Sequence, residues 1–419
     1  MLSESAFVNM KQERIISIIV SIFMGWSIFR PFLSIFVGIE EPRFFFTTLL
    51  GVLIAILYQR GYGVSYIINK NNAAPFFVWT IFACIFFYHT NIEYPSFMEE
   101  FNLPRIRGLI EMTLKFSLVG FIFGKHIIDA DKFLYNLMIV LTICCVSIFL
   151  YMLYTEGFAF LVIEAVVYGG GVTLISLSYS LVLVGVICLY ILSRKDIYHN
   201  RTFPIICMVV ISILVLLMGK RGALLSLAFP ALVIYLFANK TIKQSMIYIL
   251  TILVLYVIVI NNMDMFFDFL GLFSARLAEE SAAAYYLGET NQRDVLWELA
   301  IDQFNKNPIW GYYPLLINAD SSSFYGLHPH NYWLQSLMGV GLVGSIPFFC
   351  YILFLLAKKT YSAITNKTIY RFWAILLISE IIHGTFSSNL TLSVIWIVIF
   401  AMCYYKSNDN IDYERAIEQ

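Results

Sequence analysis

The chain has 419 residues, 60% of them hydrophobic and only 13% charged, with a mean hydropathy of +0.78. Soluble proteins carry roughly 25% charged residues, so this chain lacks the charge to cover a water-facing surface and its expected solvent is a bilayer. The 27 basic and 27 acidic residues cancel, which gives no reason to expect nucleic acid or an acidic surface as a partner.

Met1 to Glu13 is polar, and the first apolar run is too long for a signal-peptide core, so no cleavable signal is expected. Apolar runs near the ~20 residues of a membrane helix follow at about 15–37, 43–59, 73–89, 108–124, 133–154, 172–193, 203–219, 222–238, 246–262, 333–357, 370–386 and 388–405. The fold class expected is an all-α integral membrane protein of about twelve helices. With the N-terminus in the cytoplasm, 17 of the 27 Lys and Arg fall in inside segments and eight in the longer outside ones, as the positive-inside rule requires. Both ends are then cytoplasmic. The organisation expected is helices 1–9 over residues 1–262, an outside loop domain over 263–332, and helices 10–12 with a tail over 333–419. That loop, at about 70 residues, is long enough to expect function or disorder. Its aromatics and a helix beginning near Thr290 or Asn291, with Leu296, Ala300, Phe304, Trp297 and Ile301 on one face, point to a folded cap. The seven cysteines all lie in apolar runs without C-x-x-C spacing, so they read as small buried hydrophobes.

Charge at or inside a membrane is costly and marks candidate sites. Lys220 and Arg221 sit between two apolar runs joined almost without a loop. They are either snorkelling side chains or an anion site in which Arg221 grips phosphate oxygens with its planar fork. Gly219 and Gly222 would let a lipid-linked phosphate approach the backbone. Arg293 falls in the first turn of the loop helix, where a cation opposes the helix dipole. It either pairs with Asp294 or Glu289 or serves as a second phosphate ligand. Arg30, and Glu111 with Lys115, are charges inside expected spans. Glu380 and His383 share a face near the end of the eleventh span, fit for a local hydrogen bond or a catalytic role. Tyr168 to Gly171 is a hinge or a close-approach surface.

The stretch His328–Gly344 carries two superficially familiar patterns. In an extended H-x-H segment the rings of His328 and His330 point to opposite faces, and no third ligand lies at a metal spacing, so no metal is expected. Asn331 is a good N-cap for a helix starting at Tyr332, which puts His330 at the helix mouth. There a neutral imidazole suits a general base; a structural role is the alternative for His330 and more so for His328. Gly339, Gly341 and Gly344 spell G-x-G-x-x-G, but inside a membrane helix rather than after a strand. Small residues there let neighbouring helices pack closely.

His330-Asn331, nine residues, then Gly341-x-x-Gly344 resembles the H-[NSQ]-x9-G-x-x-G signature of the O-antigen polymerase and O-antigen ligase superfamily. Arg221 after the seventh span, and Arg293 followed by Trp297, Ala300, Pro308 and Gly311, are similar to its two further landmarks. The resemblance implies a GT-C-like bundle in the bacterial inner membrane, its active site facing the periplasm. It implies a metal-independent, cofactor-free, inverting glycosyltransferase using an undecaprenyl-diphosphate-linked oligosaccharide, with a chain-length regulator as a candidate partner. Arg221 and Arg293 would neutralise the diphosphate, His330 would deprotonate the acceptor, and Lys220, His328, Asn331, Arg30, Glu380 and His383 are candidates for binding substrate. Lys-Arg-Gly-Ala at 220–223 looks more like polymerases than ligases. A flippase or transporter of lipid-linked sugars is the more distant alternative, disfavoured because neither repeats nor broken helices are read in the sequence.

Overall fold

The computed structural model describes residues 4–38, 43–59, 73–93, 120, 130–157, 174–194, 197, 201–237, 244, 247, 250, 254, 257–272, 274–286, 293–313, 316–317, 328–365, 368–386 and 394–403. No β-strand occurs among them. In chain order the helices are α1 (Glu4–Met24), α2 (Trp26–Val37), α3 (Arg43–Gln59), α4 (Ala73–Tyr88), α5 (Ala130–Glu156), α6 (Leu174–Ser193), α7 (Thr202–Leu217) and α8 (Arg221–Phe237). Then come α9 (Met263–Gly271), α10 (Ala275–Tyr286), α11 (Arg293–Lys306), α12 (Tyr332–Phe354), α13 (Tyr361–Thr365), α14 (Tyr370–Phe386) and α15 (Ile395–Cys403). Single π-helical segments extend α4 over His89–Glu93 and α12 over Leu355–Thr360.

Among the described residues two helices are long and apolar enough to cross a membrane, Ala130–Glu156 and Tyr332–Thr365, with 27 and 34 residues. A bent pair, Arg14–Met24 with Trp26–Val37, makes a third if taken as one span. By length and composition these helices fit a helical membrane protein, but about twelve spans is more than the described helices establish. α4, α7 and α8, at 16 or 17 residues, reach about 24–26 Å at 1.5 Å per residue, just under the ~30 Å hydrocarbon core. The expected span at 108–124, with Glu111 and Lys115, lies outside the described residues apart from Gly120, as do Thr290, Asn291 and Tyr168–Gly171.

The chain divides into two compact units, Met1–Arg60 with Ile127–Gln292, and Gly61–His126 with Arg293–Gln419. In the first, α6 packs against α5, α7 and α8. Leu181, Val184, Val186, Ile187, Cys188 and Ile191 bury it nearly all round, the pattern of a helix enclosed by others. Its end is tied down where Tyr190 Oη donates to Asp131 Oδ1 (2.5 Å) and Arg194 Nη1 donates to Tyr190 Oη (2.9 Å). The expected single span 15–37 is instead broken at Gly25, with an 88° bend between α1 and α2. A Cβ at Gly25 would stand 2.6 Å from Leu141 Cδ2 of α5 and 2.8 Å from Phe29, so glycine lets α5 close on the corner without displacing those side chains. Arg30, expected inside a straight span, lies exposed on α2 beyond this bend.

In the second unit α12 packs against α4 and α11, and α14 against α15. Trp396 centres the core, with Phe82 and Phe348 ring centroids 5.3 and 5.1 Å away. Lys359 Nζ closes α15 by donating to the carbonyls of Met402 and Cys403, a cation meeting the negative end of a helix. Cys144, Cys145, Cys188, Cys207 and Cys403 are buried as expected of small hydrophobes, whereas Cys84 and Cys350 are exposed.

Candidate active site

Asn331 fixes where α12 begins. Its backbone is extended (φ −147°, ψ 117°), and its Oδ1 accepts from the amides of Trp333 (3.0 Å) and Leu334 (3.1 Å). Two of the otherwise unpaired first-turn donors are thus satisfied, as the sequence predicts. The same side chain reaches across: Nδ2 donates to the Thr385 carbonyl (3.2 Å), and Trp333 Nε1 donates to Thr385 Oγ1 (3.1 Å). The Tyr332 ring lies against Gly384, where any Cβ would collide with it. The start of α12 is therefore pinned to the end of α14.

Immediately before the cap, His330 has φ 52°, the one positive φ outside glycine among the described residues. A left-handed histidine is costly and held by its surroundings. Three contacts hold it: the Asn331 cap, Trp297 Nε1 donating to the Pro329 carbonyl (3.0 Å), and the His330 amide donating to His328 Nδ1 (3.3 Å). This corrects the expectation of rings on opposite faces. The left-handed turn folds the segment back, so the His328 and His330 ring centroids are 4.0 Å apart, edge to face. Because Nδ1 of His328 accepts from a backbone amide, its proton sits on Nε2, and burial pushes its pKa below the ordinary value. His328 thereby holds the His330 backbone in its turn.

Trp297 ties this corner to α11, and one turn before Trp297 is Arg293, the first residue of α11. The helix predicted in the loop is present, buried through Leu296 and Ala300 against Ile317 and Met338, with Trp297 and Phe304 beside them. Ile301, expected on that face, is exposed, and Gln303 is buried instead, its Nε2 donating to the Leu316 carbonyl (2.8 Å). The expected face holds at Leu296, Ala300, Trp297 and Phe304 but extends to Gln303 rather than Ile301, because a buried polar residue with a fixed partner is invisible to hydrophobic periodicity.

The glycines do something other than helix packing. At Gly341 (φ 58°, ψ −166°) α12 is broken, a conformation essentially restricted to glycine. In a continuous helix Leu342 and Val343 would donate to Met338 and Gly339. Instead Leu342 N donates to the Pro308 carbonyl (2.9 Å), Val343 N to the Ile309 carbonyl (3.1 Å), and the Met338 carbonyl accepts from Tyr312 N (3.0 Å). The 308–312 segment is thus spliced into the opened ladder. Gly311 (φ 85°) permits the approach, since a Cβ there would stand 2.6 Å from Gly339 backbone. Only Gly344 behaves as expected of a packing glycine, near Ile85 of α4.

A pair unforeseen from the sequence locks the splice. His89, buried in the π segment after α4, has Nε2 3.0 Å from the Trp310 carbonyl and Nδ1 2.5 Å from Glu93 Oε2. A carbonyl only accepts, so Nε2 carries a proton, and the second contact needs a further proton between imidazole and carboxylate. The sequence signal was present, a His and a Glu at i,i+4 closing an apolar run. Glu380 and His383 do approach each other, Oε1 to Nδ1 at 3.6 Å, one turn from the Gly384–Thr385 end that holds α12.

In the first unit, α7 ends in left-handed Gly219 (φ 65°) and Lys220 accepts the first bond of α8 from Leu224 N (3.0 Å). Arg221 is the first residue of α8, half-buried beside half-buried Lys220. Arg221 and Arg293 thus share a placement: each begins a helix, where the dipole disfavours a cation and favours an anion. Among the described residues no ion pair joins Arg293 to Asp294.

Residues 206–349 match the family model described as O-antigen ligase. That segment holds Arg221, Arg293, His330, Asn331 and all three glycines, and the match supports the O-antigen polymerase and ligase superfamily. No curated protein matches the chain.

Proposed function

We propose that the protein is a membrane glycosyltransferase that polymerises lipid-linked repeat units of a surface polysaccharide on the outer face of the bacterial cytoplasmic membrane. The observation that carries this reading is the left-handed His330 held at the mouth of a capped helix, tied through Trp297 to the helix that Arg293 begins. In this account the acceptor hydroxyl attacks the anomeric carbon of an undecaprenyl-diphosphate-linked glycan from the face opposite the leaving group. The C–O bond to the diphosphate breaks as the new glycosidic bond forms, inverting the centre. His330 takes the hydroxyl proton, a contribution of typically 10²–10⁴-fold. Arg221 and Arg293 bind the departing diphosphate, Arg221 by two parallel hydrogen bonds. No metal or cofactor enters the proposal.

The description of the matching family favours a second reading of the same chemistry, transfer of the lipid-linked glycan to lipid A core. Complementation separates the two. In a polymerase-deficient strain, lipid A core carries a single repeat unit, and this chain is expected to restore the full ladder of lengths on a gel. Restoration only of a strain whose core carries no repeat unit would assign it as a ligase. The breaks at Gly25 and Gly341 remove one argument against a transporter. If His330→Ala leaves the ladder intact, the catalytic reading fails.

A further inference from the structure

The turn that carries Lys220 and Arg221 has a second helix seated on it. Gly219 closes α7 in a left-handed conformation (φ 65°), and a Cβ there would stand 2.8 Å from Ser274 Oγ, 3.5 Å from Leu277 N and 3.7 Å from Leu277 Cβ. Conformation and room both call for glycine at this position. Ser274 is the residue before α10. Its hydroxyl accepts from the Leu277 amide (3.2 Å), and its carbonyl accepts from the Ala278 amide (3.1 Å), the bonding of an N-cap. Leu277 is buried. Two helices thus begin at one place, α8 at Arg221 and α10 at Ala275.

This seat is braced from behind. The Ser274 amide donates to the Leu270 carbonyl of α9 (3.0 Å). At the far end of the pair, Phe267 meets the ring edges of Tyr285 and Tyr286 at 6.0 and 5.7 Å, and Tyr286 Oη donates to Asp264 Oδ1 (2.5 Å). α9 and α10 therefore form one hairpin, tied at both ends, whose corner rests on Gly219. Lys220 is one Cα–Cα step of 3.8 Å beyond Gly219, so Ser274 Oγ lies within about 8 Å of the Lys220 Cα. That is inside the ~8–10 Å over which charges act on one another at moderate salt.

We propose that Ser274 is a positioning residue for the Lys220–Arg221 turn: it seats the α9–α10 hairpin on Gly219 and caps α10 without adding a charge beside the two cations. The inference rests on the proposed binding of a lipid-linked diphosphate by Arg221. Ser, Asn and Asp cap helices about equally well, and an acidic cap gains further from the helix dipole. For stability alone, aspartate would serve at 274 as well as serine. Beside Lys220 and Arg221, however, a carboxylate competes with the diphosphate for the same cations. A neutral cap holds the turn in place and leaves no such competitor. Charge at this position therefore acts in opposite directions on the fold and on the ligand, which a purely structural cap would not show.

The test uses the full chain in phosphatidylcholine nanodiscs, with undecaprenyl diphosphate as the probe. Its Kd and the thermal midpoint are measured for the unaltered chain, Ser274→Asn, Ser274→Asp and Arg221→Ala. Ser274→Asn is expected to bind close to the unaltered chain. Ser274→Asp, of the same size, is expected to raise Kd at least about fivefold over Ser274→Asn, with a thermal midpoint equal or higher. Ala275→Asp against Ala275→Asn repeats the comparison from an exposed position one residue on, so the test stands even where Ser274→Asp does not fold. Equal Kd within each pair, with Arg221→Ala still weakening the probe, would overturn this inference alone. A Kd that Arg221→Ala does not move would remove the diphosphate reading and this inference with it.

Discussion

The two ends of the first half of α12 are built by opposite means. At Asn331 a single side chain caps the helix through atoms two and three residues away, and the bonds to Thr385 only reinforce what the local sequence dictates. At Gly341, nine residues into the helix, the backbone is opened and repaired by Pro308, Ile309 and Tyr312, with His89 holding the inserted strand of chain. The first end places the candidate base, and the second places the rod that carries it. A local device is cheap to read and moderate in its energetic effect, whereas a splice of two segments is all-or-none.

That contrast orders the expected effects. Gly341→Ala puts a Cβ into the Ile309 carbonyl and forces alanine into a glycine-only conformation, costing about 1–3 kcal/mol for the dihedrals alone. Little folded protein is expected in detergent, measured as monodisperse yield and thermal midpoint. A Gly341→Ala protein of normal stability would mean that the loop is not spliced there. His89→Ala leaves the Trp310 carbonyl without its imidazole donor, a loss of about 1–3 kcal/mol. Here the thermal midpoint falls, and His89→Gln, which can still donate to a carbonyl, recovers part of it.

Asn331→Ala is milder in stability, about 1 kcal/mol for the cap, yet it frees His330 from its left-handed turn and should lower turnover far more than the midpoint. Asn331→Asp keeps the cap but sets a carboxylate against the Thr385 carbonyl, so it should restore only part of the stability and less of the activity. Equal loss in both variants, on both readouts, would detach the cap from the site.

Acidification gives the smallest effect. Burial holds His328 below its ordinary range, so the unfolded chain binds that proton first as pH falls, and stability rises with pH in this window. Loss begins below about pH 6.5 and is complete once folded His328 is itself protonated, when Nδ1 no longer accepts from the His330 amide. Thermal midpoints of the protein and of His328→Asn across pH 5–7.5 should diverge at the alkaline end and converge toward pH 5; parallel curves would remove His328 from the account.

How much the sequence disclosed follows the same division. Lys220–Arg221 between two helices, the Asn331 cap and the α11 helix were legible because each depends on neighbours within a few residues. The bend at Gly25, the splice at Gly341, the facing of His328 and His330, and the hold of His89 on Trp310 were not. Each depends on a contact far along the chain, such as Leu141 on Gly25 or Trp310 on His89. Periodicity reports one helix at a time and is silent about what opens it. Gly341 was visible as a glycine in an apolar run, which fits a packing site and a break equally well.

The proposed role of His330, held by this corner, is to take the acceptor proton. The most direct measurement is turnover of a purified, reconstituted protein on an undecaprenyl-diphosphate-linked repeat unit, comparing the unaltered chain with His330→Ala and His330→Gln at matched thermal midpoints. Both variants are expected to bind the lipid-linked donor still and to lose at least about 10²-fold in turnover. Turnover within a few-fold of the unaltered chain would contradict that role.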